Sequence, residues 1–160
     1  MYYTRIESPI GPLLLAGDEH GLHFLSFASS RRAKAPERDW EENRAPFAEV
    51  IRQLGGYFAG ERNEFDVPLI MEGTEFQLRV WRVLRTIPYG ETWSYAELAR
   101  RIGTPSAVRA VGAANGSNPI PIIVPCHRVI GSNGDLTGFG GGLPIKKKLL
   151  ALESKQLRLL

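Results

Sequence analysis

Between Asn118 and Val129 the chain runs Asn-Pro-Ile-Pro-Ile-Ile-Val-Pro-Cys-His-Arg-Val, an apolar stretch interrupted by proline at 119, 121 and 125. Proline has no amide hydrogen, so three ladder bonds would be missing and the stretch cannot be an ordinary central strand. It reads as a rigid extended wall that delivers Cys126 to a fixed place. Cys126 is the only cysteine among 160 residues, which excludes an internal disulfide and a multi-cysteine zinc site. A lone cysteine is most often a small buried hydrophobe. A thiol becomes a nucleophile only as thiolate, which a neighbouring base or cation promotes. With Pro125 on one side and His127-Arg128 on the other, both readings stand.

The remainder supplies a scaffold of two textures. Tyr2 to Ser8, Pro12 to Ala16 and Leu22 to Phe27 are short β-rich or apolar runs, and Gly17 to Gly21 carries hairpin turn chemistry, which predicts a small antiparallel sheet. Ser29 to Arg44 is charged, holds Pro36 and reads as a surface loop or an irregular helix entry. Phe47, Val50, Ile51, Leu54 and Phe58 recur at helical spacing within Pro46 to Phe58, and Phe65 to Ile70 reads as an edge strand.

After Gly73 the texture turns helical. Thr74 is a candidate N-cap for a helix whose apolar stripe runs from Phe76 to Ile87 and stops at Pro88-Tyr89-Gly90. Ser94 and Glu97 suggest a capping box, and Gly103 ends that helix. Thr104-Pro105 is read as the start of the next, through Ala107 to Asn115. The pair makes a helix-turn-helix pattern. Its second helix is poor in bulk, with Arg109 as its one long cation, as suits either a groove wall or tight helix packing. The expected fold class is therefore α+β, with an N-terminal sheet-and-helix domain over 1–72 and a mainly helical, winged-helix-like domain over 73–160.

Charge follows the same division. Residues 1–72 hold 8 Lys and Arg against 12 Asp and Glu, whereas residues 73–160 hold 12 against 5, so the halves carry −4 and +7. The second half is the one that would attract a polyanion. No apolar run approaches the roughly 18 to 20 residues of a membrane span, and Met1 to Arg5 lacks a signal-peptide core, so a soluble cytoplasmic protein is expected.

Pro125-Cys126-His127-Arg128-Val129, with Asn118 upstream, Gly138-Phe139-Gly140-Gly141-Gly142 downstream and Leu149-Leu150-Ala151-Leu152-Glu153 after it, resembles the O6-alkylguanine-DNA alkyltransferases. The likeness is continuous from about Gly73 to Glu153; the first 70 residues share only the family's layout. It implies repair of duplex DNA carrying O6-alkylguanine, and leaves O4-alkylthymine open as a second substrate, by irreversible transfer of the alkyl group to Cys126, once per molecule. It implies no cofactor, no metal, and a monomer that could self-associate on DNA. By the same likeness, His127 withdraws the thiol proton through a water, Glu153 orients the imidazole and Asn118 braces the cysteine turn. Arg109 fills the gap left by the flipped nucleotide, and Tyr95 holds the rotation and bonds the base. Pro121, Val129, Phe139, Gly140 and Gly141 line the base pocket, and backbone groups at Cys126, Val129 and Gly140 read the guanine edge. Arg128 is placed with the substrate and DNA contacts. Lys146 lies near the loop, on a Lys146-Lys147-Lys148 run read as a solvated helix face with phosphate attraction.

The requirement is physical as well. An alkyl group on the guanine oxygen lies inside the duplex, so the nucleotide must be extruded at a cost of about a few kcal/mol. Two features depart from other members: Phe139-Gly140 replaces a hydroxyl-bearing pair and implies a roomier pocket, and the cysteines that hold zinc in some N-terminal domains are missing. Three rival readings are a DNA-binding regulator with a structural or sensing cysteine, a thiol hydrolase built on Cys126 and His127, and a lesion-binding relative without a reactive cysteine.

Overall fold

The computed structural model describes residues 1–31, 33–134, 139 and 142–158, the last four through their backbone alone. Strands β1 (Tyr2–Ile6), β2 (Leu13–Asp18) and β3 (Gly21–Phe27) form an antiparallel meander with β2 in the centre, pairing Tyr2 with Gly17 and Leu13 with Phe27. Leu13 to Gly17 are buried without alternation, which fits a central strand covered on both faces. The β2–β3 hairpin is tight enough that a Cβ on Gly17 would collide with the Gly21 carbonyl, so glycine is required there.

The sheet is mixed, not purely antiparallel. Within the segment read as a loop, Glu41–Glu42 (β4) pairs in parallel with β1, through Glu41 N–H to the Met1 carbonyl at 3.0 Å and Asn43 N–H to that of Tyr3 at 2.9 Å. Phe65 to Ile70 is no strand. Its only bridge joins Leu69 to Leu22, and Pro68 offers a carbonyl to Leu22 N–H but no donor with which to extend the ladder.

A short 3-10 turn, Ala45–Phe47, leads into α1 (Ala48–Phe58), which buries Val50, Gln53, Leu54 and Tyr57. Helix α2 (Glu75–Leu84) opens with a complete capping box: Thr74 accepts from Gln77 N–H and the Gln77 amide returns to Thr74 N–H. Ser94 caps α3 (Tyr95–Arg101), but the Glu97 carboxylate is drawn to Arg100 and Arg101 at 2.6 to 2.9 Å and does not complete the expected box.

Helix α4 (Val108–Gly116) begins later than Thr104-Pro105 suggested. Gly103, at φ +84°, and Thr104 close α3 in a Schellman motif, with Thr104 N–H on the Ala99 carbonyl and Gly103 N–H on that of Arg100. Thr104 is thereby spent on the preceding helix, and a separate turn to Ala107 starts the next. Strands β5 (Trp93–Ser94) and β6 (Val129–Ile130) pair in parallel beside α3, and α5 (Leu143–Arg158) closes the fold.

One apolar core runs through both halves, from Leu15, Leu25 and Leu54 to Trp81, Leu98, Val111, Ile120 and Leu149. Trp81 Nε1 donates to the Ala114 carbonyl at 2.8 Å and pins α2 to α4. Among the described residues no helix is long and apolar enough to cross a membrane.

Candidate active site

The proline-rich stretch folds back on itself instead of extending. Val124 N–H reaches the Ile120 carbonyl at 2.9 Å, and Ile122 takes φ +75°, a left-handed conformation that is costly for a β-branched residue. Asn118 brackets this turn from both ends: its Oδ1 accepts from Ile120 N–H at 3.0 Å and its Nδ2 donates to the Val124 carbonyl at 2.8 Å. Pro125, at φ −81° and ψ 64°, then makes an inverse γ-turn closed by Cys126 N–H on the Val124 carbonyl. Prolines that deny a ladder its donors here fix a compact coil. Leu25 N–H of β3 donates to the Pro119 carbonyl at 3.0 Å, docking the sheet edge on the cysteine turn.

A 3-10 turn, Cys126–Arg128, follows and sends His127 and Arg128 into the interior. There they meet Glu153 on α5. His127 Nε2 lies 2.7 Å from Glu153 Oε2, while Arg128 donates Nε to Oε1 at 2.8 Å and Nη2 to Oε2 at 3.1 Å. Tyr57 OH donates to the same Oε2 at 2.7 Å. His127 and Glu153 are 0% and 1% exposed, so the carboxylate is desolvated, yet these donors hold its pKa down at about 2. An ionised carboxylate only accepts, so Nε2 of the imidazole must carry the hydrogen and Nδ1 the lone pair. Nδ1 is buried and has no hydrogen-bond partner among the described residues.

Arg128, expected among the substrate and DNA contacts, is 7% exposed, donates Nη1 to the Ile87 carbonyl at 2.7 Å and does not line the cavity that holds Cys126.

Burial pushes the Cys126 thiol up to about 11, against opposing pulls from a hydrogen bond with the Asn118 side chain and the charge of Lys146. At neutral pH Cys126 is a thiol, so its proton must leave during the reaction. Lys146 is 0% exposed and donates Nζ to the Val129 carbonyl at 2.5 Å. The solvated-face expectation holds for Lys147 and Lys148, which are exposed, but not for Lys146, which lies seven residues before Glu153 on the buried stripe of α5. Desolvation lowers its pKa to about 8. At two of the positions whose backbone is expected to read the guanine edge, the Val129 carbonyl is engaged by this ammonium and the Cys126 carbonyl accepts from Asn115 Nδ2 at 3.3 Å.

Cys126, Asn118, Pro121 and Phe139 line one cavity of about 200 Å³, together with Asn115 and, from β3, Phe24 to Phe27. The Phe139 ring rests 5.7 Å from that of Phe27. Tyr95, Val129 and Lys146 do not line it. Gly138, Gly140 and Gly141 lie outside the described residues, and with them the expected glycine rim. Tyr95 is half-buried at the start of α3, its ring over Gly112 of α4, and Arg109 is exposed on α4 beside the small Ala110 and Ala113.

Three contributors were not singled out from sequence. Tyr57 sits on an ordinary amphipathic face, Asn115 ends a small-residue helix, and the β3 residues lie more than 90 positions from Cys126 in sequence. Only the Asn115 polar side chain on an otherwise apolar helix face offered a local signal.

Comparison with known proteins agrees with this geometry. Residues 75–155 match the DNA-binding domain model of the 6-O-methylguanine DNA methyltransferases, and residues 1–71 match their ribonuclease-like domain model. The chain is 58% identical over 153 residues to a methylated-DNA--protein-cysteine methyltransferase of Methanosarcina acetivorans, covering 96% of this chain and 98% of that one. A protein of the same name from Mycobacterium bovis is 54% identical, over 98% of this chain and 94% of that one. The crystal structure of Mycobacterium tuberculosis OGT in complex with DNA superposes with a TM-score of 0.92 at 52% identity, covering 98% of this chain and 94% of that one. Both halves of the sequence, the fold and the cysteine turn thus lead to one result: the chain belongs to the 6-O-methylguanine DNA methyltransferase family.

Proposed function

We propose that this protein repairs DNA by moving the alkyl group of O6-alkylguanine onto Cys126, irreversibly and once per molecule. The observation that carries the reading is the pairing of a cavity-lining thiol with a buried His127–Glu153 network on the adjoining residue. With Nε2 of His127 held by Glu153, the unpartnered Nδ1 is the base available to a water-bridged relay. In the transfer a sulfur–carbon bond forms as the carbon–O6 bond breaks. The thiol proton passes by way of His127, and the departing guanine takes up a proton and leaves neutral. Lys146, whose charge lowers the cost of a buried thiolate, supports Cys126 as its proton leaves.

The related Mycobacterium tuberculosis protein is seen with DNA, and one face of this chain suits that partner: exposed Arg109 among small residues on α4, in the half with net charge +7. Arg109 fills the stack behind the extruded nucleotide, Tyr95 steadies the rotation, and the division near residue 72 separates a supporting half from a DNA-binding one. The protein is taken to act in the cytoplasm, with Cys126 and His127 supplying nucleophile and base from the chain itself.

Intact mass after exposure to a duplex containing O6-methylguanine tests the reading. A gain of one methyl group that then stops is expected; no gain, or continued turnover of excess substrate, would refute it. Replacing Arg109 by Ala should slow repair of duplex DNA by about ten-fold or more while changing reaction with the free alkylated base little, because only the duplex requires extrusion. Equal losses on both substrates would move Arg109 from gap filling to support of the pocket.

A further inference from the structure

Glu153 accepts four hydrogen bonds, and three come from the residues beside Cys126. The fourth crosses from the other half of the molecule: Tyr57, on α1, is 96 positions away and reaches Oε2 at 2.7 Å. Packing explains the ring. It is fully buried, edge-on to Phe58 and Tyr89 and tilted against Phe65, with centroids 5.4 to 6.4 Å apart. Phenylalanine would fill that space equally well, so packing leaves the hydroxyl unexplained.

The hydroxyl is aimed by its ring at the same oxygen that accepts from His127 Nε2 and, at 3.1 Å, from Arg128 Nη2, so it takes a share of the charge that Oε2 offers His127. Burial beside Glu153 keeps the phenol protonated and therefore a donor. We propose that Tyr57 is a positioning residue for alkyl transfer: its hydroxyl limits how strongly Oε2 holds the His127 proton and so sets the pH at which Nδ1 can take the proton from Cys126. The inference rests on the transfer reading above and adds that the N-terminal half takes part in the chemistry.

Glu153 and Lys146 of α5 and Arg128 of its own turn act on His127, Tyr57 of α1 reaches it through Glu153, and Tyr89 lies behind Tyr57. Burial is the main influence favouring neutral imidazole, Glu153 favours the protonated form, and the charges of Arg128 and Lys146 add to the effect of burial. Removing the Tyr57 donor leaves the pull of Glu153 less shared, so the imidazolium gains and the base is lost at a higher pH.

The test uses the full chain and single-turnover transfer from saturating O6-methylguanine duplex, followed by intact mass across pH. For Tyr57→Phe the acid limb should move up by roughly half to one pH unit, which on the limb itself is a slowing of about three- to ten-fold, with little change in DNA affinity. Placing 3-fluorotyrosine at 57 keeps the ring and strengthens the donor, so the limb should move the opposite way; this arm serves even if Tyr57→Phe folds poorly. Superimposable profiles, or a slowing by one factor at every pH, would overturn the role of Tyr57 while leaving the transfer reading intact. A wild type that gains no methyl group would remove both.

Discussion

Cys126→Ser is expected to abolish alkyl transfer, with a loss of at least about four orders of magnitude, while binding to alkylated duplex stays within a few-fold of wild type. The substitution replaces sulfur by oxygen at a site that is 5% exposed, so it perturbs neither the surface nor the α4 face that carries Arg109. What it removes is the nucleophile. The thiol already resists ionisation, at about 11, and the network behind it suffices only because sulfur is intrinsically nucleophilic once its proton is drawn off. A serine hydroxyl is far harder to ionise and attacks saturated carbon poorly. Intact mass of the variant after long incubation with O6-methylguanine duplex, beside a gel-shift titration of the same DNA, separates the two properties. Any methyl gain by the serine variant would show that a group other than Cys126 accepts the alkyl, and loss of binding would show that Cys126 shapes the DNA site.

The cysteine turn illustrates what was legible in the sequence and what was not. Proline at 119, 121 and 125 correctly barred a ladder, because the missing donor is a covalent fact. The same prolines could not say whether the stretch would extend or fold back. That depended on Asn118, whose amide joins Ile120 to Val124, and on the strained φ of Ile122, and neither has a local sequence signature. The Phe65 to Ile70 segment failed as a strand for the converse reason: its apolar residues suited a sheet edge, but Pro68 interrupts the donors.

Charge was the least legible property. In sequence Arg128 is placed with the substrate and DNA contacts and Lys146 in a run read as a solvated face, yet both are buried because each meets acceptors assembled from distant segments: Glu153 and the Ile87 carbonyl for one, the Val129 carbonyl for the other. Helical periodicity does place Lys146, Leu149 and Glu153 on one stripe, but a buried lysine is too rare for periodicity alone to override its chemistry. Tyr57 was hidden for the same reason. An aromatic on an amphipathic helix is ordinary core, and only the tertiary structure shows that its hydroxyl ends on the carboxylate behind His127.

Glu153 is where these strands of argument meet, and its replacement should be the most damaging to stability. Glu153→Ala would strip the acceptor from His127, Arg128 and Tyr57, all buried, and leave a guanidinium in the interior without its counter-charge. Breaking such a pair from one side costs about 3–5 kcal/mol, so for a chain of this size the melting temperature should fall by roughly 10 °C or more. Glu153→Gln keeps the shape but presents an amide N–H to neighbours that are themselves donors, so part of the loss should persist, and transfer should slow by about a hundred-fold because the imidazole is no longer held by an anion. The carboxylate also imposes a pH signature. Its pKa is about 2 in the folded protein and ordinary, near 4.5, when unfolded, so its stabilisation is complete above 4.5 and drains away as pH falls from there towards 2. Thermal melts of wild type and Glu153→Gln between pH 3 and pH 7 should therefore converge on acidification. A constant gap in melting temperature over that range would show that Glu153 acts through shape and packing, and that the charge at the centre of the network contributes nothing to the fold.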